Sequence, residues 1–327
     1  MKRKAHETFS RAVMKLICLL LAMVLVLMLG ATALFRQVLG KLHYTQPAGD
    51  FGTRLGAFVT NLSQNLPDSA GELIGGTGSG IVNLLLIGSD QRVDEAARSD
   101  TMLLLTYHRK TGDITITSFL RDMYVPIPGY GSNRINTAYY QGGIRLLDET
   151  LKTNFDLHID GNIQVDFSQF SDIIDLLGGV EIDLRADEAA EINSHTGWNL
   201  TEGRQNLTGW EALIYARIRK LDDDGDFSRT QRQRKLLNAL LERYRSIKWR
   251  DLLKLMDQLL PLITTDLNYG QIVLLAMEIL PKLPDCQVTD QRIPANGTFR
   301  DETVNGMAVL TPDLEANREF LRRTLLE

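Results

Sequence analysis

Cysteine is scarce: the 327-residue chain has two, Cys18 and Cys286. That excludes a disulfide-built scaffold and any metal site made of cysteines alone. Histidine is nearly as rare, and its five residues (6, 43, 108, 158 and 195) show no metal-ligand spacing. There is no Walker A sequence, no H-E-x-x-H and no G-x-S-x-G, so the commonest signatures of nucleotide, zinc and serine chemistry are missing. Positive charge is not in excess. The formal net charge is −5, and nucleic acid is not an expected partner. No repeat of 20–50 residues is found. What is present is ordinary for a folding chain, with 44% hydrophobic and 24% charged residues, 26 Gly and 9 Pro. The length alone allows roughly two domains.

One apolar run stands out. Leu16 to Phe35 carries no charge over 20 residues, which as a helix spans about 30 Å, the thickness of bilayer hydrocarbon. Lys2, Arg3, Lys4, Arg11 and Lys15 precede it, whereas only Arg36 and Lys41 follow closely. The basic excess on the N-terminal side predicts a cytoplasmic N-terminus and an extracellular remainder. Residues 1–15 are then a basic cytoplasmic tail and 16–35 a transmembrane helix. A cleaved signal peptide is the alternative, with Gly30-Ala31-Thr32-Ala33 as a small-residue site, but its apolar region is expected to be shorter. Residues 1–35 carry +4 and the remainder −9. Cys18 lies inside the run, so Cys286 is expected to be a lone, buried thiol.

Residues 36–80 read as a stalk ending in Gly75-Gly76-Thr77-Gly78-Ser79-Gly80. These glycines precede a strand rather than follow one, so they are no dinucleotide fingerprint. The globular part is expected over 81–327. Ile81–Ile87 is a continuous apolar run, suited to a strand buried on both faces. Thr101–Tyr107 and Asp113–Phe119 form a predicted hairpin. Ile144, Leu147, Leu151 and Phe155 recur at helical spacing. A strand over Ile163–Phe167 precedes a helix carrying Phe170, Ile174 and Leu177, stopped at Gly178-Gly179. Val180–Leu184 is again strand-like. Thr208–Glu211 and Ser228–Gln231 read as capping boxes, the second opening a helix to about Ser246. Residues 271–283 are too short to span a membrane and read as a buried helix. Strands alternating with helices predict a three-layer α/β/α domain with a mixed central sheet.

Arginine and aspartate gather at the ends of these elements. Asp90 and Arg92 follow the first strand, Arg98 and Asp100 precede the second, and Arg121 and Asp122 follow the third. Arg217 and Arg219 end one helix, while Arg229, Arg232 and Gln233 open the next. Ligands of open α/β sheets bind at such ends, and helix N-termini and guanidinium forks suit phosphate. Arg229 and Gln233, four apart, share one helix face. Carboxylates beside phosphate call for a bridging Mg²⁺. A guanidinium meant for phosphate should be poorly compensated in the empty protein. The alternative is a salt-bridge cluster of structural value only. Asp222-Asp223-Asp224-Gly225-Asp226 is not an EF-hand, because Phe227 and Gln233 stand where Gly and Glu are required.

Six stretches together resemble the LytR–CpsA–Psr family of cell-wall glycopolymer transferases. They are NLLLIGSDQR (83–92), RSDTMLLLTY (98–107), ITSFLRDMYVPIPG (116–129), RINTAYYQGG (134–143), LLGGVEIDL (176–184) and ALIYARIRKLDDDGDFSRTQRQ (212–233). The likeness is close over about 80–245 and less specific beyond, at TTDLN (264–268) and DQRIP (290–294). Where the family commonly has Ser-x-Pro-Arg-Asp, this chain has Ser118-Phe119-Leu120-Arg121-Asp122.

The resemblance implies a membrane-anchored phosphotransferase. Its donor would be a glycopolymer on a polyprenyl diphosphate, and its acceptor a sugar hydroxyl of peptidoglycan. Asp90 and Asp100 would bind Mg²⁺, while Arg98, Arg121, Arg217, Arg219 and Arg229, with Gln233, would hold the diphosphate. Asp122 and Asp226 flank these arginines and are candidates for the general base. An apolar groove for the lipid is expected among Leu147, Leu151, Phe170, Ile174 and Leu213. Three other readings stay open: a polyprenyl diphosphate pyrophosphatase, a non-catalytic binder of lipid-linked polymer, and a transcriptional attenuator. The last is disfavoured by the acidic extracellular part and the missing DNA-binding motif.

Overall fold

The structure, a computed structural model, describes residues 43–44, 80–89, 99–222, 225–245, 247, 255 and 258–326. The predicted tail and transmembrane helix, nearly all of the stalk, Asp90 and Arg98 lie outside these residues. Among the described residues no helix is long and apolar enough to cross a membrane.

The predicted layers are present. In chain order the strands are β1 (His43–Tyr44), β2 (Ile81–Ser89), β3 (Ser99–His108), β4 (Ile114–Phe119), β5 (Tyr124–Ile127) and β6 (Gly131–Arg134). Helix α1 (Asn136–Phe155) leads to β7 (Gly161–Asp166), α2 (Phe167–Leu176), β8 (Val180–Leu184) and α3 (Ala186–Thr196). Then come β9 (Gly203–Leu207), α4 (Gly209–Arg217), α5 (Asp226–Tyr244), β10 (Thr264–Thr265) and α6 (Tyr269–Ile279). The chain closes with β11 (Val288–Ile293), β12 (Phe299–Val304), β13 (Met307–Pro312) and α7 (Leu314–Leu326).

Seven strands form the central sheet in the order β1-β10-β7-β2-β3-β4-β11. It is mixed: β2 pairs parallel with β7 and antiparallel with β3, and β4 pairs parallel with β11. The predicted apolar run fills the middle of β2 because each face has a helical layer over it. Leu85 and Ile87 face a core shared with Leu147, Leu151 and Phe155 of α1 and Leu321 of α7. Val82 and Leu84 face the other core, with Leu237 of α5 and Leu275 of α6. Cys286 is 2% exposed there, and burial pushes its thiol up, as expected for an inert residue. A third core, around Ile174, Ile182, Leu207 and Tyr215, joins α2, α4 and the two-stranded β8–β9 sheet.

Several helix starts follow local chemistry, while α1 and α5 begin without a side-chain cap. Asp166 caps α2, accepting from Gln169 N at 2.8 Å, while the Gln169 side chain accepts from Asp166 N. Glu211 accepts from Thr208 N at 2.7 Å at the start of α4. Behind it, a Cβ on Gly209 would lie 2.0 Å from Ser171 O, so only glycine lets α4 abut α2. The predicted box at Ser228–Gln231 does not form. Helix α5 begins earlier, at Asp226, after Gly225 with φ +47°. That start brings Asp226 into the first turn, beside Arg229.

Candidate active site

The sheet delivers several charged side chains to one edge. Asp100 is the second residue of β3, and Arg121 follows β4, the next strand in the sheet. Arg121 Nη1 donates to Asp100 Oδ1 at 2.6 Å. Its Nε lies 3.5 Å from Asp122 Oδ2 and 3.7 Å from Asp226 Oδ1. Asp226 is the hub. Its Oδ1 is also 3.4 Å from Arg219 Nη2, and its Oδ2 accepts from Arg229 Nη2 at 2.9 Å. The same Arg229 nitrogen donates to Asp100 O at 3.1 Å. Three of the predicted arginines, far apart in sequence, therefore meet on one carboxylate.

Arg217 sits to the side, its guanidinium 4.5 Å over the Phe167 ring. Gln233, one turn beyond Arg229, donates weakly to Ala216 O at 3.4 Å, and its buried Oε1 has no partner. Asp122 accepts from Arg134 at 3.1 Å. Sequence reasoning missed Arg134 as a site residue, although it opens the stretch RINTAYYQGG. Asp122 and Asp226, the base candidates, are both placed as bridges between arginines.

The described residues of this cluster bring five guanidiniums (Arg121, Arg134, Arg217, Arg219, Arg229) against three carboxylates (Asp100, Asp122, Asp226). The deficit of counter-charge falls on Arg229. It is 4% exposed, and its buried Nε makes no hydrogen bond. Burial, with Arg219 and Arg121 nearby, pushes its pKa down to about 10, against the pull of Asp226. Arg121 behaves oppositely. Burial lowers its pKa, but Asp226, Asp122 and Asp100 outweigh that and leave it above the ordinary value. In charge balance the expected under-compensation thus holds for Arg229 and fails for Arg121, although the buried Nε of Arg121 also has no hydrogen bond.

An apolar cavity of ≈ 160 Å³ abuts the cluster. Leu86, Leu103 and Val165 of the sheet form one wall, and Phe167, Phe170, Leu213 and Leu240 of the helices form the other. Its polar lining includes Arg217 itself, Thr101 next to Asp100, and Gln233 one turn from Arg229. Phe170 and Leu213 were expected in such a groove. Leu147, Leu151 and Ile174 are not part of it: all three are fully buried in cores. Leu147 and Leu151 sit on α1, across the sheet, because helical spacing reveals a buried face without telling which side of the sheet it covers.

The LytR_cpsA_psr family profile matches residues 60–324. The chain belongs to this family. It is 38% identical over 166 residues to a polyisoprenyl-teichoic acid–peptidoglycan teichoic acid transferase TagU of Oceanobacillus iheyensis, which covers 49% of this chain and 50% of that protein. The Bacillus subtilis TagU is 31% identical over 180 residues, 54% of this chain and 57% of the relative. The chain thus spans about half the length of the curated relatives it matches. Among solved structures, Bacillus subtilis TagT superposes with a TM-score of 0.61 at 26% identity, covering 76% of this chain and 92% of TagT. TagT with bound octaprenyl pyrophosphate lipid gives 0.59 at 25% identity, covering 79% and 97%.

Proposed function

We propose that this family member is a membrane-anchored phosphotransferase that moves a glycopolymer from a polyprenyl diphosphate carrier to a peptidoglycan sugar hydroxyl. The observation that carries the reading is the junction of an apolar cavity with an under-compensated arginine cluster. A polyprenyl diphosphate has those two parts, an apolar chain and a diphosphate. The TagT structure with octaprenyl pyrophosphate supports it.

In the proposed reaction the acceptor hydroxyl oxygen attacks the glycan-bearing phosphorus. The bond from that phosphorus to the lipid-phosphate oxygen breaks, a phosphodiester forms and lipid monophosphate leaves. The hydroxyl proton passes to a base, with Asp122 and Asp226 the candidates in reach of the cluster. Arg121, Arg219 and Arg229 stabilise the charge on the phosphoryl oxygens, as in other phosphoryl transfers. Arg217 and Gln233 sit where the diphosphate meets the cavity, and Arg98 is assigned to the same group. Asp226 and Asp122 hold the guanidiniums in register until substrate arrives.

Mg²⁺ is proposed as cofactor, on Asp100 and Asp90. What supports it is residue chemistry: Asp100 offers a hard carboxylate oxygen at the cluster, and in the sequence Asp90 supplies a second one just after Ser89. When bound, the ion would neutralise diphosphate charge.

Residues 16–35 are proposed to anchor the domain outside the membrane, where a lipid-linked donor can reach it. A reporter fused after Glu327 should then be active outside the cell; activity inside would reverse the topology.

The test is an assay with the full chain, a lipid-diphosphate-linked glycan, peptidoglycan fragments and Mg²⁺. A phosphodiester-linked product that disappears on chelation is expected. Lipid phosphate released without acceptor would favour the pyrophosphatase reading. Tight binding with no release would favour the non-catalytic one.

A further inference from the structure

Another face of α5, turned away from the apolar cavity, borders a polar groove of ≈ 370 Å³. Ligand sites commonly enclose about 300–1,000 Å³ and are walled mainly by apolar side chains. Among the described residues this groove has no aliphatic wall. Gln231, Lys235 and Asn238 line it from successive turns of α5, with Arg185 from the end of β8, Tyr215 from α4 and Asp290 from β11.

Its charged groups are engaged with one another. Arg185 is held by Asp187 and Asp222, and Arg232 by Glu188 and Asp222. Arg234 Nε donates to Asp290 Oδ2 at 2.7 Å, and Lys235 Nζ donates to Asp183 O at 2.5 Å. Both guanidiniums that line the groove therefore have carboxylate partners, unlike Arg229, and an anion finds little here to pair with. The uncommitted groups are neutral. The buried Asn238 Oδ1 has no hydrogen-bond partner. Tyr215 is 1% exposed, with its ring in the third core, and its hydroxyl has no hydrogen bond to the protein. Burial, with Glu188 adding to it, pushes the Tyr215 pKa up, so the group stays a neutral hydroxyl that can both donate and accept. The exposed Gln231 amide adds two donors and an acceptor.

Unpaired amides and a hydroxyl, mixing donors with acceptors and asking for no charge, match the hydroxyl and acetamido groups of a sugar ring. Gln231 is two residues from Arg229, so the groove lies within one helix diameter, about 10–12 Å, of the arginine cluster. We propose that this groove, with Asn238, Tyr215 and Gln231 as its hydrogen-bonding wall, is a subsite for an uncharged sugar unit of a glycan whose reacting end sits at the arginine cluster. This rests on the glycopolymer-transfer reading. The donor glycopolymer and the peptidoglycan strand both present such units, and the test tells them apart.

The full chain is titrated, by ligand-observed NMR and calorimetry, with two probes: peptidoglycan glycan chains stripped of their peptides, and the donor glycan freed from its lipid by mild acid. Wild type should bind at least one, and the tighter probe names the source. Tyr215→Phe should weaken that binding about three- to tenfold, the scale of one neutral hydrogen bond, and Asn238→Leu by at least as much. Neither substitution should lower the melting temperature, because neither removes a hydrogen bond within the protein. Binding of polyprenyl diphosphate should be unchanged in both. No binding of either probe to wild type, or equal binding to wild type and both variants, would overturn the proposal and leave a groove filled by water alone. If the full chain transfers no glycopolymer, the transferase reading fails, while the same titrations still decide the groove.

Discussion

Arg229 and Arg232 stand three residues apart on α5 and are equally buried, each 4% exposed. Their surroundings differ in one respect. Arg232 Nε donates to Glu188 at 2.8 Å, its Nη2 donates to Asp222, and its Nη1 reaches Ile218 O at 3.3 Å. Arg185 braces the same Asp222 at 2.8 Å. Burial alone would lower the pKa of Arg232, but Asp222 and Glu188 outweigh it and leave the pKa raised. Arg229 uses a single nitrogen for both of its hydrogen bonds and leaves its Nε without one. One arginine is complete in the protein by itself. The other has donors to spare, which is how a site for an anion differs from a structural ion pair.

The largest effect should come from breaking the complete pair. Arg232→Ala leaves the buried Glu188 with only the more distant Arg185 Nε, at 3.9 Å, as counter-charge, and stability should fall by about 3 kcal/mol, the low end for a broken buried pair, read by thermal or denaturant unfolding. Activity should fall only in proportion to folded protein. A variant that keeps its melting temperature but loses turnover would place Arg232 in the site and erase the contrast.

Arg229→Ala should show the reverse. A charged hydrogen bond to the diphosphate is worth roughly 1.5–3 kcal/mol, or about 10- to 150-fold in rate if felt in the transition state. The melting temperature should hold or rise slightly, since an under-compensated buried charge is removed. Arg121→Ala sharpens the comparison: it too should cost turnover, but it also frees three carboxylates to repel one another, so its melting temperature should drop. Equal stability losses for Arg121→Ala and Arg229→Ala would mean that the two are equally compensated.

The smallest effect lies far from the arginines. Asp148 on α1 is bonded by Asn162 at 2.9 Å, with Asp266 on the same amide at 2.8 Å. Burial pushes its pKa up to about 7, with Asp266 adding to this and the Asn162 bond opposing it. The unfolded value is about 3.9, so between these values the folded state holds the proton more tightly. Stability should therefore fall as pH rises from about 4 through 7. Asp148→Asn should flatten that slope, by on the order of 1–2 kcal/mol across the window. Parallel unfolding curves for variant and wild type from pH 5 to 8 would show that Asp148 titrates normally.

The central strands β2, β3, β4 and β7, with β8 and the helices α1, α2, α4 and α6, were legible because each carries its own signal, whereas the short strands, the strands after residue 285 and helices α3 and α7 were not read. Ile81–Ile87 is apolar throughout since both its faces are covered, and the Thr208–Glu211 box closes within one turn. The start of α5 was misplaced by three residues, because Ser228–Gln231 satisfies the capping pattern while Gly225 sets the actual turn. The site was legible as a set of residue types at element ends. Its internal division was not. Arg229 and Arg232 belong to one run, SRTQRQ, and nothing in that run tells which finds Glu188 and which finds a lone oxygen of Asp226.

The sequence by itself determined the alternation of elements, the family and the gathering of Arg and Asp at strand and helix ends, because these depend on neighbours a few residues away. The tertiary structure decided the rest. It set Leu147 and Leu151 on the far side of the sheet from the cavity, joined three distant arginines on Asp226, and brought Asp290 of β11 beside Arg234 of α5. Each of these depends on which strand lies next to which. That order is fixed by packing among residues tens to hundreds apart, and no local pattern encodes it.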